Sequence, residues 1–199
     1  MITYQYIIII SWAAYILIWV IMSLNVKRDI RGGFSKLWRH FLWIRIIAAV
    51  SLIFIAARIA TGHAHYSGQI PIFYQGIFHT TLVLGWTGAI ITFIGVSFAI
   101  WARFHIGRNW SPRPAVKENH ELVTSGPYAY VRHPIYTGLL LSAFGTFLTG
   151  SYFGLVVLII ALIIFISRIG REEKIMLELF PNDYPEYKKR TKVLIPFIW

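Results

Sequence analysis

The sequence predicts an all-α polytopic membrane protein with about five transmembrane helices. Three observations predict it. Of 199 residues, 57% are hydrophobic and only 14% charged, whereas a soluble domain carries about 25% charged residues. Several uncharged apolar runs reach the roughly 20 residues needed to cross the hydrocarbon core. The net charge of +11 is concentrated in alternate connections. High hydrophobicity excludes a disordered chain, and the lack of cysteine excludes disulfides, thiolate metal ligands and thiol catalysis.

The first expected span is 7–26. Residues 1–26 contain no Lys or Arg, so the segment reads as a retained span and not as a signal peptide with a basic leader. A second span is expected at 41–60, interrupted by Arg45 and Arg58, and an uncharged third at 77–102. Residues 135–167 hold no charge. That run is too long for one comfortable crossing, and Gly150-Ser151, between Gly145 and Gly154, divides it into a tight hairpin with arms at 136–149 and 152–168. The first arm is short, so tilt or packing must compensate.

Charge placement decides between four and five spans. Lys27 to Arg39, Arg103 to Arg132 and Arg168 to Lys192 are basic, while 1–6, 61–76 and 149–151 carry no Lys or Arg. Five spans put every basic connection on one side, and the positive-inside rule then places the N-terminus out and the C-terminus in. Four spans would put the basic tail outside. Topology and anionic lipid headgroups account for most of the charge, and no nucleic-acid module is visible. The chain reads as one membrane domain, 1–199, with three N-terminal helices over 1–102 and a core over 103–199.

The segment 103–134 is long for a connector, and long connections are usually functional. Ser125-Gly126-Pro127 is a turn signal. Pro134 biases His133 to an extended backbone and opens a helix with His133 at its cap. Such an N-terminus attracts an anion, with Arg132 beside it and Tyr128, Tyr130 and Tyr136 supplying aromatic surface. The same residues also fit a positive-inside flank and an interfacial aromatic belt. Arg168 and Glu172, four apart, share a helix face. They fit either a solvated helix end or a carboxylate for a cation beside an arginine for an anion. Arg45 and Arg58 fit either snorkelling side chains or a pathway through a small transporter or assembly subunit. His63, His65, His105, His120 and His133 lack zinc-ligand spacing, so no metal is expected.

HELVTSGPYAYVRHPIYTG followed by REEKIMLELFPNDYPEYKKRTKVLIPFIW resembles the isoprenylcysteine carboxyl methyltransferases and their phospholipid methyltransferase relatives. The resemblance covers roughly 105–199. It implies an integral membrane methyltransferase that uses S-adenosylmethionine at a cytoplasmic site, formed by the loop before the fourth helix and the C-terminal tail. It also implies cofactor contacts at His120, Glu121, Leu122, Val123, Tyr128, His133, Pro134, Ile135, Tyr136 and Glu172, a substrate-side arginine at Arg168 and an orienting residue at Arg132. Pro181 departs from the family's glycine before Tyr184.

The chemistry agrees with these implied roles. Glu172 suits an amino group, the helix start at His133 and Pro134 suits a carboxylate, and tyrosine faces attract a sulfonium by about 0.5–2 kcal/mol. A lipophilic acceptor is expected. A carboxylate is ionised at neutral pH and needs only an orienting arginine, whereas the amine of a phosphatidylethanolamine-type lipid must first lose a proton. The NADPH-using sterol reductases share a similar core but are much longer chains.

Overall fold

The computed structural model describes residues 3–23, 25–27, 29–31, 81–111, 116–196 and 198. Over these, the helices are α1 (Thr3–Ser23), α2 (Leu82–Ile106), α3 (Pro134–Leu148), α4 (Tyr152–Leu179) and α5 (Asp183–Arg190). A short antiparallel pair, β1 (Asp29–Arg31) with β2 (Val116–Lys117), is a small departure from an all-α chain. Among the described residues, three helical segments are long and apolar enough to cross a membrane: Tyr4–Ser23, Leu82–Asn109 and Gly154–Leu179. The helix α3 is apolar but has only 15 residues. The span expected at 41–60, with Arg45 and Arg58, lies outside the described residues.

The centre of the fold is the antiparallel contact of α2 with α3. Gly88, Thr92, Gly95 and Ala99 repeat at steps of four, three and four, and Gly138, Ser142, Gly145 and Thr149 repeat at the same steps. Each row forms one stripe of small residues, which lets backbones approach closely where lipid supplies no hydrophobic drive. A Cβ on Gly95 would lie 2.6 Å from the Gly138 carbonyl oxygen, and one on Gly138 equally close to that of Gly95. Gly88 and Gly145 meet in the same way, at 2.5 and 2.6 Å. Between these glycine pairs, the buried Thr92 hydroxyl lies 2.9 Å from Gly88 O, 3.2 Å from Ser142 O and 3.3 Å from Thr146 Oγ1. Trp12 of α1 donates to Thr146 Oγ1 at 3.1 Å, so one polar ladder ties three helices. Such interhelical bonds are worth about 0.6 kcal/mol each on average.

α1 runs parallel to α2. Tyr4 meets Trp86 edge-on at the first end, and Arg103 reaches α1 at the other. Arg103, read from the sequence as a flanking charge, is fully buried. Its Nη1 donates to Gly107 O at 2.7 Å and its Nη2 to Met22 O at 2.9 Å, so it caps the C-terminal ends of both helices. The Trp110 ring lies 4.5 Å from its guanidinium carbon. Lys27 N–H then bonds Arg108 O at 2.9 Å, and β1 pairs with β2. The chain therefore leaves this end at Arg31 and returns at Leu82 on the opposite end.

The hairpin turn falls at Gly150-Ser151 as the glycines imply. Gly150 has φ 81°, a left-handed conformation that favours glycine, and Ser151 Oγ caps α4 by accepting the Gly154 N–H. α4 runs past the expected end at 168 to Leu179. Run length ends at the first charge, but Arg, Glu, Lys, Met and Leu are strong helix formers, and the helix continues through them.

The tail folds back over the start of α3. Arg132 N–H bonds Lys192 O at 2.8 Å, His133 N–H bonds Val193 O at 3.2 Å, and Thr137 Oγ1 donates to Leu194 O at 2.7 Å. Arg132 Nε donates to Glu173 Oε1 at 2.6 Å and its Nη1 to Thr191 O at 2.6 Å, while Lys188 Nζ reaches Glu173 Oε2 at 2.7 Å. The Arg132 and Glu173 side chains are 8% and 12% exposed, so this pair is largely shielded from solvent.

Two stability predictions follow. Gly95→Ala and Gly138→Ala force α2 and α3 apart and cost about 1–3 kcal/mol, in line with overpacked cores. Gly170→Ala, whose Cβ meets nothing within 4 Å, is neutral or raises stability by up to about 1 kcal/mol; thermal unfolding in detergent compares the three. Glu173→Ala removes the carboxylate shared by Arg132 and Lys188 and costs about 1.5–3 kcal/mol, the worth of hydrogen bonds to charged groups, read as faster tryptic cleavage at Lys188 to Lys192 before the helices unfold.

Candidate active site

A cleft of about 900 Å³, solvent at its mouth included, opens where α2 ends, α3 begins and the tail crosses. His120, Glu121, Leu122, Val123, Tyr128, Arg132, His133, Ile135, Tyr136 and Glu172 all line it. Pro134 is fully buried behind the wall, where it opens α3. Arg168 lies outside the lining and reaches the cleft through Glu172. Ten of the twelve residues singled out by the resemblance thus meet at one place.

Glu172 is the hub of the α4 wall. Its Oε1 accepts from Tyr136 Oη at 2.6 Å and from Arg168 Nη2 at 3.0 Å, and its Oε2 is 3.4 Å from His133 Nδ1. Tyr136 is held flat between Phe165, 4.1 Å between ring centroids, and His133, 5.5 Å, with interplanar angles of 5° and 4°. The Arg168 guanidinium carbon stands 5.8 Å from the Tyr136 centroid. His133 caps α3 through its backbone only, and its ring is turned to Glu172 and to Glu173, whose Oε1 is 3.8 Å from Nε2.

Electrostatics separate the two histidines of the cleft. Burial pulls the His133 imidazole down, but the Glu172 and Glu173 carboxylates outweigh it and hold its pKa above the ordinary value. Burial, then the charges of Lys27 and Lys117, push His120 below the ordinary value. The His120 Nδ1 accepts the Lys117 N–H at 3.1 Å, which assigns the proton of the neutral ring to Nε2. Glu121 is held below the usual carboxylate range by hydrogen bonds from Lys27 and Asn109. Burial raises the Tyr128 phenol, so it stays protonated.

Arg132, expected as an orienting residue, borders the cleft with its guanidinium committed to Glu173 and the tail carbonyls. Ile106, Asn109, Trp110, Ser111, Ile175 and Met176 also line the cleft and went unnoticed in the sequence. Ile175 and Met176 follow Glu172 at three and four residues, so helical spacing alone would have found them. The Arg-Asn-Trp-Ser run carries no such periodicity.

The chain is similar to several proteins of known name. Protein-S-isoprenylcysteine O-methyltransferase of Schizosaccharomyces pombe is 39% identical over 101 residues, covering 49% of this chain and 43% of that one. The same-named protein of Saccharomyces cerevisiae is 36% identical over 56% of this chain and 48% of its own length. The chain therefore spans less than half the length of these relatives. The cobalt-zinc-cadmium resistance protein CzcN of Cupriavidus metallidurans is 28% identical over 83% of this chain and 70% of that one. A solved structure of the eukaryotic intramembrane Ras methyltransferase ICMT superposes with a TM-score of 0.50 at 27% identity, over 58% of this chain and 45% of that one. The profile of the isoprenylcysteine carboxyl methyltransferase (ICMT) family matches residues 88–178, from the small-residue stripe of α2 to the end of α4, and so takes in the whole motif from His120 to Gly138 and the tail motif only as far as Glu178.

Proposed function

We propose that the chain transfers a methyl group from S-adenosylmethionine to the carboxylate of a lipophilic, prenylcysteine-like substrate. The observation that carries this reading is the pairing of Arg168 with Glu172 beside two histidines that are not free bases. His133 faces Glu172 and Glu173 with both ring nitrogens, and these carboxylates hold its pKa above the ordinary value. His120 is neutral, but its Nδ1 lone pair already accepts the Lys117 amide. An amine acceptor must lose a proton to attack, whereas a carboxylate arrives ionised and needs only orientation.

The side chains fit the proposed donor. Glu172 is an anion for its amino group, the Tyr128 and Tyr136 faces suit a sulfonium, and the buried Asn109 Oδ1, without a hydrogen-bond partner among the described residues, awaits a donor. When bound, S-adenosylmethionine supplies an electrophilic methyl group. The protein's share is positioning, which is worth several kcal/mol in an in-line displacement. Tyr136, wedged between Phe165 and His133, holds Glu172, and Arg168 can turn from Glu172 towards an acceptor carboxylate.

Access for a lipid tail is consistent with this reading. Ile159, Ile163 and Ile166 leave an apolar face of α4 exposed up to the turn that bears Arg168. The same reading takes the whole as five spans with the N-terminus out and the cleft on the cytoplasmic face. The ends of α1, α2 and α4 that gather Lys27, Arg108 and Arg171 support it.

Glu172→Ala is expected to weaken S-adenosylhomocysteine binding in detergent by roughly ten- to a hundredfold, the worth of a charged hydrogen bond; calorimetry with unchanged affinity refutes the assignment. Arg168→Met is expected to raise KM for a prenylcysteine analogue by a similar factor, and more than it raises KM for the methyl donor. Because the folded pKa of His133 is raised, its stabilisation is complete below the ordinary value of about 6.5 and fades as pH rises through the folded value. Thermal stability of the wild type should therefore fall as pH rises above the ordinary imidazole value and through the folded one, and His133→Gln should flatten that slope.

A further inference from the structure

Asn109 ends the turn Gly107–Asn109 that closes α2, and it is 7% exposed. Its Nδ2 faces Glu121 Oε2 at 3.5 Å. A carboxylate only accepts, so the amide must present its NH2 to Glu121 and turn its oxygen the other way. That Oδ1 is buried and has no hydrogen-bond partner among the described residues, and neither does the adjacent Ser111 Oγ. Both residues line the cleft. A buried acceptor left unpaired is costly, and a ligand with a hydrogen-bond donor would recover that cost.

The orientation of the amide is enforced from outside the cleft. Lys27 Nζ bonds Glu121 Oε1 at 3.0 Å and Asn119 O at 2.5 Å, and Lys27 is itself fixed by its N–H to Arg108 O at 2.9 Å. Asn109 continues α2 and Glu172 belongs to α4, and both helices pack on α3. The two residues therefore stand on different walls of the cleft. With Glu172 taking the amino group of the methyl donor, the Asn109 wall meets its other half.

We propose that Asn109 Oδ1 accepts a hydrogen bond from the nucleoside half of the methyl donor, with Glu121 and Lys27 as positioning residues that fix the amide. The inference rests on the donor assignment proposed above. A nucleoside offers two kinds of donor, an exocyclic amine and ribose hydroxyls, and analogues separate them. Calorimetry in detergent would use S-adenosylhomocysteine, S-inosylhomocysteine, in which the amine is replaced by a carbonyl, and the 2′- and 3′-deoxy forms.

Wild type should prefer S-adenosylhomocysteine to at least one of these. Asn109→Ala should weaken S-adenosylhomocysteine about tenfold and narrow the gap to that same analogue. Lys27→Met leaves the cleft wall in place but frees the amide to turn, so it should narrow the same gap by about threefold. Equal weakening of all ligands by Asn109→Ala, or no weakening, overturns the Asn109 assignment while the donor reading stands. Unchanged discrimination in Lys27→Met overturns the positioning role. No binding of S-adenosylhomocysteine to the wild type overturns the donor reading, and this inference with it.

Discussion

At Gly95 with Gly138, and at Gly88 with Gly145, the backbones of α2 and α3 approach so closely that a single methyl group on either would collide with a carbonyl oxygen. The cleft depends on that approach. α3 is short and begins at Pro134, so the height and angle at which His133 and Tyr136 enter the site are set by where α3 locks against α2. In lipid there is no general hydrophobic drive to hold the two together. The matched steps of small residues and the Thr92, Ser142 and Thr146 hydroxyls supply the register instead. Once α3 is placed, the tight turn at Gly150 returns α4 along it, and Glu172 arrives beside His133.

Buried charge is handled in two ways. Arg103 is buried against backbone carbonyls and indole faces, where it closes the ends of α1 and α2. Arg132 and the largely buried Glu173 pair with each other, the half-exposed Lys188 joins them, and together they hold the tail on the start of α3. The adjacent Glu172 is left to face the cleft with Arg168 and Tyr136. Two consecutive glutamates therefore divide the work. One fastens the fold, and the other is available to a ligand.

Much of this was legible in local sequence. The Arg-His-Pro-Ile-Tyr run marked a helix start, Gly150-Ser151 marked a turn, and the Glu-Glu pair lay one helical step from Arg168. Each is a property of a few neighbouring residues. The burial of Arg103 was not legible, because its partner Met22 lies 81 residues away and a basic residue after an apolar run looks like a flank. Arg132 looked like an orienting residue beside the helix start, since nothing nearby shows that Glu173 and Thr191 will claim it. The four-three-four steps on α2 and α3 are present in the sequence, but run length and hydropathy do not distinguish glycine and serine positions from the leucines around them. Asn109 and Ser111 sit in an irregular turn with no period to read.

The account stands on one claim, that the cleft beside Glu172 and Arg168 methylates a carboxylate on a lipophilic molecule. The most direct measurement is methyl transfer from labelled S-adenosylmethionine in detergent or liposomes, with a prenylcysteine analogue and phosphatidylethanolamine offered in parallel. Base-labile label on the prenylcysteine analogue, released as methanol, is the predicted result. Base-stable label on phosphatidylethanolamine, with none on the carboxylate, would contradict it.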